Sequence, residues 1–136
     1  MLCLDTYALA EIGDGNPKFT ELLADDCVIT DLTIAEYYSV LYRDGKEDKA
    51  IYWCNKLAHF CKPMSREILI KALKYRIDHK KEDLSIFDCI GYIFALENNM
   101  KFVTGDRAFK NKENVILFFF MYVYQDSRTC RLGQKS

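Results

Sequence analysis

Short apolar runs alternate along this chain with longer stretches in which apolar residues recur every three or four positions. The first pattern marks buried strands and the second marks amphipathic helices. Met1 to Leu4 reads as a short buried strand ending at Asp5, followed by a helix over Tyr7 to Ile12. Gly13-Asp14-Gly15-Asn16-Pro17 breaks it, and Pro17 suits the first turn of a helix over Lys18 to Ala24, with Phe19, Leu22 and Leu23 on one face. Cys27 to Ile29 reads as a second strand. Thr33 is expected to open a helix through Val40 and Leu41 to about Arg43, and Glu47 to Phe60 another, ended by Pro63. Ser65 can cap a further helix in which Ile68, Leu69, Ala72, Leu73 and Ile77 repeat. After a charged linker, His79 to Asp83, comes an almost wholly apolar helix from Leu84. Strands are expected at Met100 to Val103 and from Val115 to about Phe120.

Strands alternating with helices predict an α/β fold, with a parallel sheet covered on both faces. In such sheets ligands bind beyond the carboxyl ends of the strands, where Asp5 and Asp106 stand. At 136 residues the chain suits one domain, assigned to residues 1–124, with a polar tail over 125–136 expected to be mobile.

Composition mainly excludes. Half the residues are hydrophobic, which argues against disorder, and the net charge of -1 disfavours a general polyanion binder. The six cysteines (Cys3, Cys27, Cys54, Cys61, Cys89 and Cys130) form no C-x-x-C pair. Reduced thiols in a cytoplasmic protein are the expectation. The start carries no signal-peptide pattern, and the longest apolar run, Val115 to Tyr124, is too short to span a membrane. Two histidines, His59 and His79, have no supporting constellation, and neither a Walker loop nor G-x-G-x-x-G occurs. After the first strand Thr6-Tyr7 follows Asp5, where a phosphoaspartate enzyme would carry a second Asp.

The informative residues are four acids set among apolar neighbours: Asp5, Glu36, Asp88 and Asp106. Each has a local use. Thr33-Ile34-Ala35-Glu36 and Ser85-Ile86-Phe87-Asp88 fit capping boxes, Asp5 can cap the first helix, and Asp106 can start a turn. Together they suggest a second use. Buried anions repel one another unless a hard cation is present, and carboxylate oxygens suit Mg²⁺ or Mn²⁺.

In these motifs the chain resembles the PIN-domain nucleases, especially the VapC-like toxin ribonucleases. The markers are L-D-T-Y-A-L around Asp5, T-I-A-E-Y-Y-S-V-L around Glu36, L-S-I-F-D-C-I-G-Y-I-F-A around Asp88 and V-T-G-D-R-A-F around Asp106. The resemblance implies a Rossmann-like three-layer α/β/α sandwich with a mainly parallel sheet. It implies an acidic quartet, Asp5, Glu36, Asp88 and Asp106, that binds Mg²⁺ or Mn²⁺ and cleaves RNA. Thr6 and Thr104 would support it. Relatives often carry a further acid two residues after the last motif Asp, where this chain has Ala108. A homodimer and an antitoxin protein are the implied partners. Tyr37, Tyr38, Tyr42, Tyr52 and Trp53 offer a contact surface unless they are core. Arg107, Lys110 and Lys112, with Lys80 and Lys81, are candidates for RNA-backbone contact. Two other readings stand beside this one: a catalytically silent RNA-binding or assembly module of the same fold, and a phosphohydrolase of small substrates.

Overall fold

The computed structural model describes residues 1–24 and 26–118. Five strands, β1 (Leu2–Leu4), β2 (Cys27–Thr30), β3 (Cys61–Lys62), β4 (Lys101–Thr104) and β5 (Val115–Leu117), pair in the order β3-β2-β1-β4-β5. Every pairing is parallel, as the alternation of elements requires. Among the described residues six helices accompany them: α1 (Thr6–Gly13), α2 (Pro17–Thr20), α3 (Asp31–Arg43), α4 (Glu47–Lys56), α5 (Arg66–Asp78) and α6 (Ile86–Glu97).

Strand alternation splits the core in two. Leu4, Ile29 and Val103 point to one face, where Ala8, Leu9 and Ile12 of α1, Phe19 of α2, Tyr37 and Leu41 of α3 and Ala50 of α4 cover them. Cys3, Val28 and Phe102 point to the other, under Ala72 of α5 and Cys89 to Ala95 of α6. The result is a three-layer α/β/α sandwich. In α6 the seven residues Cys89 to Ala95 are all buried, so its uniform apolarity follows from its position. Gly91 sits where Phe102 crosses it; an added Cβ would lie 2.8 Å from the ring.

The element boundaries differ from the sequence pattern in four places. The helix expected from Thr33 begins at Asp31, because Thr30, at the end of β2, caps it by accepting from the Thr33 amide at 3.0 Å. The segment after Pro17 is α2 followed by a tighter 3₁₀ turn over Glu21–Ala24. Glu47 to Phe60 breaks after Lys56 into a 3₁₀ turn, and β3 follows; two residues are too few to leave a periodic signal. Within the charged linker Lys80–Glu82 forms one 3₁₀ turn, closed by Asp83 in the left-handed region at φ 53°. Pro17 and Ser65 stand at the helix starts expected of them. The expected strand end at Phe120 and the tail over 125–136 lie outside the described residues.

Strands β2 and β3 run outward from β1 on one side, and β4 and β5 on the other. The chain therefore reverses its direction of winding between β1 and β4. That point opens a crevice at the carboxyl ends of these two strands.

Candidate metal centre

Asp5 follows β1 directly and Asp106 lies two residues beyond β4, so the crevice has an acid on each side. Register holds them: the Asp5 amide donates to the Val103 carbonyl at 3.0 Å, and the Thr104 hydroxyl accepts from the Asp106 amide at 3.1 Å. Asp5 is only 5% exposed. Its carboxylate accepts from the Ala8 amide at 2.9 Å, capping α1. Burial pushes its carboxyl up to about 6, against hydrogen bonds from Thr104, Ala8 and Gly105 that pull it down, and the charge of Glu36 adds to the rise.

Glu36 reaches the crevice from the second turn of α3. The capping box expected for it does not form, because Thr30 has moved the helix start upstream. Freed from that duty, its carboxylate accepts from the Thr6 hydroxyl. Asp88 comes from the first turn of α6, where Ser85 caps the helix by accepting from the Asp88 amide at 3.0 Å. Burial pushes Asp88 up to about 7, and the charges of Asp5, Asp106 and Glu36 each add to the rise, while the Ser85 hydroxyl lowers it. Asp106 caps a short 3₁₀ turn over Arg107–Phe109, accepting from the Ala108 amide at 2.9 Å.

The four acids are thus close enough to act on one another electrostatically. Yet among the described residues no group of three or more His, Cys, Asp or Glu side chains is arranged to hold a metal ion. The convergence expected from the sequence is met in proximity and not in ligand geometry. Each carboxylate is engaged by a donor of the chain: Ala8, Thr6, Ser85 or Ala108. The donor set itself fits a hard cation, since it is all carboxylate oxygen. A cation among them would also reverse the rise at Asp5 and Asp88.

The supporting residues fall on both sides of expectation. Thr104 is fully buried and serves Asp5 and Asp106 together; Thr6 serves Glu36. Gly105 has a role that the sequence signalled only as the middle of T-G-D. The Tyr7 ring lies against it, so a Cβ there would fall 2.4 Å from Tyr7 Cγ, while its backbone bonds to Asp5. Of the basic candidates, Lys80, Lys81, Arg107 and Lys110 are exposed. Lys112 differs: its ammonium pairs with Glu82 at 2.8 Å and lies 5.3 Å over the Tyr75 ring. The aromatic residues divide likewise. Tyr37 is core and Tyr38 and Trp53 pack against it, whereas Tyr42 is 62% and Tyr52 54% exposed.

A family model described as the PIN domain matches residues 2–115, and the chain belongs to that family. Solved structures agree on the fold. One is a toxin–antitoxin complex from Klebsiella pneumoniae, 17% identical, covering 85% of this chain and 96% of that chain at a TM-score of 0.67. A second is the Mycobacterium tuberculosis toxin VapC20, described as cleaving the sarcin-ricin loop, 15% identical, covering 85% and 97% at 0.69. PAE2754 from Pyrobaculum aerophilum is 16% identical and covers 93% and 95% at 0.66. No curated protein matches the chain by sequence. Among the described residues no helix is long and apolar enough to cross a membrane.

Proposed function

We propose that this chain is a metal-dependent endoribonuclease of the toxin type, with Asp5, Glu36, Asp88 and Asp106 as the ligands of Mg²⁺ or Mn²⁺. The observation that carries the reading is the electrostatic pressure at the crevice. Two carboxyls are raised by burial and by neighbouring carboxylates at the switch point of the sheet. Such pressure costs stability and is relieved by a divalent ion. The likeness in fold to VapC20 and to the Klebsiella toxin–antitoxin complex supports RNA as substrate and an antitoxin as partner. A homodimer belongs to the same reading.

In this reading a bound divalent ion supplies charge stabilisation to the phosphoryl group and activates water at neutral pH. The chain does the rest. Thr104 and Gly105 hold Asp5 in place, Thr6 orients Glu36, and Ser85 orients Asp88. Asp106 is bonded to the Ala108 amide through one oxygen. Ala108 adds no carboxylate, which restricts the donors for a second ion. Exposed Arg107 and Lys110 stand beside Asp106 to meet RNA phosphates, with Lys80 and Lys81 before α6.

A catalytically silent RNA-binding module is the second reading, favoured by the donor that each acid already has. One experiment separates them. Millimolar Mn²⁺ is expected to raise the melting temperature of the parent by several degrees and to support RNA cleavage. Asp106→Asn is expected to lose at least about 100-fold in cleavage rate, the scale on which metal-ligand loss acts. No thermal shift with Mn²⁺, or cleavage by Asp106→Asn at the parent rate, overturns the metal-nuclease reading.

A further inference from the structure

Asp88 and Asp106 stand on separate segments, Asp88 in the first turn of α6 and Asp106 two residues beyond β4. A charge pair outside the crevice joins these two segments. The segment ahead of Asp88 carries Glu82, six residues upstream, and the segment after Asp106 carries Lys112, six residues downstream. These two side chains meet at 2.8 Å, and the Lys112 side chain is only 16% exposed. Lys112 is fixed further by the Tyr75 ring beneath it, which itself stacks on His79 at 3.9 Å. Both charges act on Cys89, the sequence neighbour of Asp88. A second tie, from the Tyr92 hydroxyl to the Glu113 carbonyl at 3.1 Å, joins α6 to the same loop.

We infer that Lys112 and Glu82 form a positioning pair that fixes the separation of Asp88 and Asp106 for metal binding. The inference rests on the metal-nuclease reading above. Neither residue touches the acids, so both act through the backbone: Glu82 through the short run into Ser85 and α6, Lys112 through the Arg107–Phe109 turn capped by Asp106. Lys112 is accordingly assigned as a positioning residue. A surface ion pair would contribute little, but this one is partly buried, supported by an aromatic face, and ties the two segments that carry the acids.

The test is a Mn²⁺ titration by isothermal calorimetry on the full chain, with Glu82→Gln, Lys112→Met and the double variant. Each single variant is expected to bind Mn²⁺ at least about 5-fold more weakly than the parent. The double variant should be no weaker than either single, because a pair acting as a unit is lost once. Hydrogen exchange of residues 107–114 in metal-free protein should quicken in all three. Equal Mn²⁺ affinity in parent and folded variants, whatever the exchange, sinks the positioning role alone. Additive losses in the double variant also sink it, since the two residues then act separately. A parent that binds no Mn²⁺ removes the metal-nuclease reading and this inference with it. Should Lys112→Met not fold, Glu82→Gln, which keeps the size of the side chain, decides by itself.

Discussion

The two sides of the crevice hold their acids by different means. On the α1–α3 side Asp5 receives hydrogen bonds from Ala8, Gly105 and Thr104, and Glu36 receives one from Thr6. On the α6 side Asp88 has the Ser85 hydroxyl and faces three like charges, and it too is raised although it is less buried. Donors directed at a carboxylate offset desolvation, and where donors are few the repulsion of neighbours prevails. The side poor in hydrogen bonds is also the side tied by the Lys112–Glu82 pair. One side is satisfied by hydrogen bonds aimed at its carboxylates, and the other is tied by a charge pair outside the crevice.

Removing a charge from the satisfied side should have the largest effect. Asp5→Asn keeps an oxygen for the Ala8 amide while losing a ligand, so RNA cleavage should fall at least about 100-fold. Metal-free stability should move the other way. A rise from 3.8 to about 6 corresponds to a penalty on the order of 3 kcal/mol once the group is ionised. Chemical denaturation at pH 8 should therefore find the variant more stable; a variant less stable than the parent would show that hydrogen bonding outweighs charge at Asp5.

The pH dependence sharpens the same comparison. Asp5 and Asp88 have folded values of about 6 and about 7, above the ordinary 3.8. Between roughly pH 4 and pH 7 the native state therefore binds more protons than the unfolded chain, and stability falls as pH rises through that window. Above it the loss is complete and the curve flattens. Saturating Mn²⁺ should abolish most of the slope, and a metal-free curve rising from pH 4 to 7 would contradict the charge argument.

Gly105→Ala comes next, because the new Cβ meets the Tyr7 ring. Overpacking of this kind costs about 1–3 kcal/mol, and the displaced backbone should also weaken Mn²⁺ binding. Equal melting curves for parent and variant would mean that Tyr7 simply swings aside.

The smallest effect belongs to Tyr37→Phe. The Tyr37 hydroxyl is buried beside Gly13 with no hydrogen-bond partner among the described residues. Its removal should leave stability unchanged or raise it by about 1 kcal/mol, measured by urea unfolding. A clear loss would point to a partner such as an ordered water.

Much of the fold follows from local pattern. The apolar runs at β1, β2 and β4, the continuous apolarity of α6, the Pro17 and Ser65 starts and the parallel α/β architecture are all set by side chains and their spacing. The four acids were legible as candidates, because carboxylates among apolar neighbours stand out along the chain. What neighbours in sequence could not decide was partnership. Thr30, not Thr33, caps α3, and that shift sends Glu36 to Thr6, thirty residues away. The two-residue strand β3 exists only because β2 offers an edge to pair with. Lys112 looked like one more surface cation until folding set it between Glu82 and Tyr75. Hydrophobic periodicity is a property of consecutive residues and survives in the bare sequence. Hydrogen bonds and charge pairs across the crevice depend on distances that arise only when the strands align.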